Sequence, residues 1–200
     1  SQQKKKRVSL FCVRLFVTLR PVMKKTIYNK YDKSLIGTLP QVLFEGRIVV
    51  ILTEKDAEKA VRYLLAQPIL GIDTETRPTF RKGPMHQVSL MQVATHDICF
   101  LFRLNHLGLS PSVKRLLEDT TVPKVGLSLN DDLQQLHRLG EIKKGRFIDL
   151  QHHVSEIGVE DMSLQKLYAN FFGQKISKRQ QLTNWESDIL NDKQKCFPFL

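Results

Sequence analysis

The chain has 200 residues, 42% of them apolar, and a formal charge of +11, which suits one globular domain with an appendage. Residues 1–25 carry eight of the 31 Lys and Arg and no acid, leaving 23 bases against 20 acids elsewhere. The body is therefore close to balanced, compatible with nucleic acid without demanding it. Cys12, Cys99 and Cys196 are odd in number, far apart and free of Cys-x-x-Cys spacing, which argues against a disulfide framework or a zinc site and sets the cytoplasm as the expected compartment. The adjacent pair His152-His153 reads as solvated, since sequence neighbours rarely face one site.

In chain order, Lys4-Lys5-Lys6-Arg7 precedes an apolar run, Val8 to Thr18, that Arg14 interrupts. The run is too short to span a bilayer, and no small-residue cleavage site follows it. Met23-Lys24-Lys25 resembles a bacterial start. Residues 1–22 are expected to be a basic tail, disordered or non-native, and residues 23–46 a lead-in. Arg47 to Leu52 is β-branched and predicts a strand. Thr53-Glu54-Lys55-Asp56 is a capping signature for a helix to about Ala66. Ile69 to Glu75 predicts a strand buried on both faces. Beyond a loop marked by Pro and Gly, Val88 to Ala94 and Ile98 to Phe102 predict a hairpin. Ser110-Pro111 starts a helix to Glu118, Pro123 to Gly126 is a short strand, and Asp131 to Leu139 a helix. Phe147 to Leu150 is a further strand, and Ser163 caps a helix over Leu164 to Phe172 that Gly173 stops. The order predicts an α/β fold, a mixed sheet flanked by helices.

Two acidic clusters carry the chemistry. Asp73 and Glu75 stand two apart at the end of a strand, so they project to one side. Carboxylates this close repel and favour protonation unless a cation lies between them. The plain alternative for an isolated Asp-x-Glu is a pair of solvated acids. The second cluster, Asp131 and Asp132, opens a helix after Lys124-Val125-Gly126, where acids also meet the helix dipole. Neighbouring strand ends converge, so Asp132 is expected within reach of a cation held by Asp73 and Glu75, with simple helix capping as the plain alternative.

These segments together resemble a family. Gly71-Ile72-Asp73-Thr74-Glu75-Thr76, then Val88-Ser89-Leu90-Met91-Gln92-Val93-Ala94, then the Lys124-Val125-Gly126 to Asp132 cluster, look like the 3′-5′ exonucleases with four acidic residues (DEDD), nearest the ribonuclease D and Werner-syndrome exonuclease branch. Ser163 to Leu167 and Leu182 to Glu186 add to the likeness, which covers about residues 47–195. The resemblance implies a ribonuclease H-like sheet over residues 47–200 and two magnesium or manganese ions. It also implies hydrolysis of the terminal phosphodiester at a DNA or RNA 3′ end, with no membrane partner. Carried over, Asp73 bridges both ions, Glu75 holds the ion on the water side and Asp132 the other; Asp131 is the fallback for the last role.

The resemblance breaks at the third motif, a Tyr followed four residues later by an Asp. No tyrosine follows Tyr168, no acid follows Asp192, and Pro198 opposes a continuing helix. The expectation is a C-terminally incomplete exonuclease domain with impaired hydrolysis; the alternative is an inactive nucleic-acid-binding module. A protein-interaction scaffold, needing neither metal nor nucleic acid, is a third reading. Lys178 and Arg179 suit phosphate contact and Trp185 base stacking, with Lys175 in the same basic stretch. Thr76 is expected beside the terminal sugar. Arg77, Arg81 and Lys82 stand where they could guide the strand end.

Overall fold

The computed structural model describes residues 26–42, 44, 46–77, 86–176 and 186. Its centre is a six-stranded sheet. The strands are β1 (Arg47–Ile51), β2 (Leu70–Thr76), β3 (Val88–Ala94), β4 (Ile98–Arg103), β5 (Lys124–Gly126) and β6 (Phe147–Asp149). The spatial order is β1-β4-β3-β2-β5-β6. The β2–β3 and β3–β4 pairs are antiparallel, and the β1–β4, β2–β5 and β5–β6 pairs are parallel. This is the mixed α/β sheet that the pattern predicts.

The helices are α1 (Glu54–Leu64), α2 (Leu104–Leu107), α3 (Pro111–Glu118), α4 (Leu129–His137), α5 (Leu150–Glu156) and α6 (Leu164–Phe172). They cover both faces of the sheet. Leu64 of α1, Val113 and Leu116 of α3, and Leu129 and Leu136 of α4 share one core with Leu70 and Ile72 of β2. Val154 of α5 and Leu167 and Phe171 of α6 pack with Val125 across the other face. Thr53 caps α1 through its hydroxyl oxygen, 3.2 Å from the Asp56 amide, and Pro111 opens α3. Among the described residues no helix is long and apolar enough to cross a membrane.

Three features were not anticipated. A 3-10 helix over Lys33–Thr38 lies in the lead-in. Tyr31 and Ile36 are buried against Ala169 of α6, and Asn170 exchanges two hydrogen bonds with the backbone of Tyr28, at 3.0 and 2.6 Å. The lead-in therefore packs on the domain through its middle. The helix expected from Asp131 begins at Leu129, and α2 and α5 were not predicted. Both follow their strands without an intervening loop, leaving no Gly or Pro to mark the boundary. The tail, residues 1–22, lies outside the described residues.

The parallel pairing of β2 with β5 sets the site. Their carboxyl ends finish on the same edge, where the loops of an α/β sheet gather ligands. Gly126 permits the close approach: a Cβ there would come 2.8 Å from the Ile72 carbonyl oxygen. The chain then turns sharply at Ser128, a non-glycine residue at φ 63°, and enters α4.

Candidate active site

Asp73 and Glu75 leave β2 on the same face, opposite Gln92 and Leu90 of β3. The register shifts between Glu75 and Thr76, so the strand loosens after its second carboxylate. Asp73 lies deepest, 1% exposed, and its Oδ2 has no hydrogen-bond partner among the described residues. Glu75 is half-buried nearer the strand end, with its carbonyl accepting from the Ser89 hydroxyl at 3.2 Å.

Asp132 arrives from the other side of the strand. α4 packs on the face of Ile72 and Thr74, and the Thr74 hydroxyl donates to Asp132 Oδ1. Asp132 is half-buried and Asp131 exposed. Burial first, then Asp132, then Glu75 hold the Asp73 carboxyl well above the usual carboxylate range. Burial and then Asp132 push Glu75 up to about 8. The three acids thus share one field despite reaching the site over opposite faces of β2.

Asp149, at the end of β6, anchors α4 from below. Its carboxylate accepts from the amides of Ser128 at 3.0 Å and Leu129 at 2.8 Å. It also accepts from Gln151 at 3.0 Å, capping α5. An acid at both helix starts offsets their dipoles. Asp131 and Asp132 are thereby relieved of the capping role that their position suggested. Sequence reading passed over Asp149 because its partners lie about twenty residues upstream.

A carboxylate oxygen buried without a donor, beside two further acids that raise its proton affinity, is the donor set of a hard divalent cation such as magnesium or manganese. The residues fit such an ion. Among the described residues no group of three or more His, Cys, Asp or Glu side chains is assembled to hold a metal ion; the fit rests on the chemistry of the Asp73 and Glu75 oxygens, and Asp132 has one oxygen on Thr74.

Thr76 is half-buried at the end of β2, past the bulge. Arg77, next along, lies 3.1 Å from Glu186, which also stands 3.1 Å from His86 and whose carbonyl accepts from Asn105 at 3.5 Å. Glu186 thus ties the chain beyond α6 to the exit of β2 and the entry of β3. The Lys175 Nζ donates to the Gly37 carbonyl of the lead-in at 2.6 Å. Lys178, Arg179 and Trp185, with Arg81 and Lys82, lie outside the described residues.

Residues 48–197 match the family model described as 3′-5′ exonuclease. The chain belongs to the 3′-5′ exonuclease family. It is 26% identical over 177 residues to the bifunctional 3′-5′ exonuclease/ATP-dependent helicase WRN of Mus musculus, covering 83% of this chain and 13% of that protein. It is 28% identical over 131 residues to a 3′-5′ exonuclease of Arabidopsis thaliana, covering 58% of this chain and 46% of the relative. The chain therefore spans less than half the length of either relative. The Nibbler EXO domain of Aedes aegypti has the same fold, with a TM-score of 0.69 at 19% identity over 80% of this chain and 84% of that one. Ribonuclease D of Trypanosoma brucei, in complex with RNA U12, superposes with a TM-score of 0.64 at 20% identity over 80% and 57% of the two chains. The sheet is thus the ribonuclease H-like one of the exonuclease structures.

Proposed function

We propose that this chain is a metal-dependent 3′-5′ exonuclease domain acting on nucleic-acid 3′ ends, with Asp73, Glu75 and Asp132 holding magnesium or manganese. One observation carries the reading: buried Asp73, with an unpartnered oxygen, shares its site with two acids from the ends of β2 and α4. A pair of such ions, when bound, supplies an activated water and offsets the charge of the phosphodiester.

The chain's own residues set the geometry for that chemistry. Asp73 forms the floor, held by a strand hydrogen-bonded on both sides. Glu75, two residues on, stands nearer the strand end. Asp132 is oriented by the Thr74 hydroxyl, on a helix that Asp149 anchors. Thr76 is assigned to contact with the terminal sugar from its place beside Glu75, and Arg77 to guiding the strand end. Lys178 and Arg179 are assigned to phosphate contacts and Trp185 to stacking on a base.

The pattern supplies three of the family's four acids, and no Tyr-x-x-x-Asp follows Trp185. This favours slow hydrolysis by the 200-residue chain, and it is the one observation that supports the second reading, a module that binds nucleic acid without cutting it. The test is digestion of 5′-labelled single-stranded DNA and RNA with manganese. The expected result is weak shortening from the 3′ end. A chain extended after Lys195 by a helix bearing Tyr-x-x-x-Asp should cut several orders of magnitude faster. Processive digestion by the unextended chain would overturn the impairment. Metal-independent cutting by the extended chain would overturn the metal reading.

A further inference from the structure

Gln92 is fully buried, at 0% exposed, and neither its amide nitrogen nor its amide oxygen has a hydrogen-bond partner among the described residues. Such a group costs the fold stability that an apolar side chain of the same size would not. Its surroundings sharpen the point. Gln92 is paired with Leu101 on one side and Asp73 on the other. Leu90 and Ala94, which flank it on the same face of β3, belong with Leu101 to an apolar cluster. Across its own rung of the sheet, Asp73 is the polar neighbour. Directly opposed residues of antiparallel strands carry their side chains on one face, with Cβ atoms about 5 Å apart. Asp73 Oδ2 is likewise buried without a partner among the described residues, so a donor and an acceptor stand unpaired there on adjacent strands within side-chain reach.

We propose that Gln92 is a positioning residue for Asp73: its Nε2–H group donates to the Asp73 carboxylate when that carboxylate holds a divalent cation. The inference rests on the metal-holding role proposed above for Asp73. With a divalent cation held by one carboxylate oxygen of Asp73, the other would be the acceptor that faces Gln92. Gln92 is the donor built into the sheet to receive it, and the bond fixes the carboxylate's rotation. Groups that orient metal-binding carboxylates in this way change metal affinity by about 10–100-fold when removed. The amide costs stability without the cation and recovers it with the cation, which accounts for a glutamine where Leu or Met would pack.

The test is manganese titration by calorimetry on the full chain and on Gln92→Met, with melting curves in metal-free buffer. The variant should bind manganese at least about tenfold more weakly while melting at the same temperature as the parent or higher. Equal affinity in parent and variant would overturn the role of Gln92 and leave the function of Asp73 standing. A parent chain that binds no manganese would overturn both. A second measurement serves if Gln92→Met fails to fold: the side-chain amide protons of Gln92 in the parent, followed by NMR as magnesium is added. They should move downfield to saturation in the parent and stay fixed in Asp73→Asn. Amide protons that do not respond to magnesium while the parent binds it would overturn the proposal.

Discussion

The Thr74 hydroxyl donates to the Asp132 carboxylate across 58 residues of sequence, and this bond joins the central strand to the helix that carries the third acid. It discriminates between the two adjacent aspartates, since Asp131 is exposed. Asp132→Ala is expected to abolish manganese-dependent binding to a 3′ end. Asp131→Ala should cost no more than about 0.5 kcal/mol, as for an exposed side chain whose capping role Asp149 already fills. Thr74→Val should cost about 1 kcal/mol through the lost hydrogen bond and weaken manganese binding less than Asp132→Ala. Filter binding with and without manganese, alongside urea melts, checks the ranking; the reverse order for the aspartates would shift the site by one residue.

The acids make the fold depend on pH in a defined direction. Glu75 has its folded value raised from 4.5 to about 8, and Asp73 is raised as well. The folded state therefore binds more protons than the unfolded one between these values. Stability from these groups is present in full below the unfolded value and is lost as pH rises towards 8. In metal-free buffer the chain should melt at a lower temperature at pH 8.5 than at pH 5.5, and Asp73→Asn should flatten that dependence. At pH 8 the substitution should raise the melting temperature, by roughly 2–4 °C for each kcal/mol of repulsion relieved. Protons and cations compete for the same oxygens, so manganese affinity should rise over the same interval. Differential scanning calorimetry across pH, with and without manganese, measures both effects.

Asp149 is the structural support of the site. It accepts from the amides of Ser128, Leu129 and Gln151, holding the starts of α4 and α5. Asp149→Ala should lower stability by about 2 kcal/mol, one cap's worth at each helix. Since α4 carries Asp132, manganese affinity should fall too. Asp149→Asn keeps an accepting oxygen and should recover most of the stability. Urea denaturation of the three proteins is the check; a loss below about 0.5 kcal/mol in Asp149→Ala would show that the amides find other partners.

Much of this fold was legible in the chain because its signals are local. β-Branching marked β1, an apolar run marked β2 and hairpin spacing marked β3 and β4, while Thr53 and Pro111 marked the starts of α1 and α3. The two carboxylates of β2 were visible from their spacing alone. What escaped depends on contacts between distant segments. Asp149 holds residues about twenty positions upstream, and Lys175 is drawn to Gly37 by the parallel bridge that joins Gln41 to it. The burial of Gln92 follows from its place in the middle of a sheet, which its own strand shares equally with Ser89. The approach of Asp132 from the face opposite Asp73 was also illegible, because it depends on how α4 packs after the turn at Ser128.

The most direct test of the central claim is calorimetric titration of manganese into the metal-free full chain and into Asp73→Asn. The account predicts saturable binding by the parent and affinity at least about tenfold lower in Asp73→Asn, with its fold intact by circular dichroism. Equal affinity in the two proteins would contradict it, because the Asp73 carboxylate would then have no part in holding the cation.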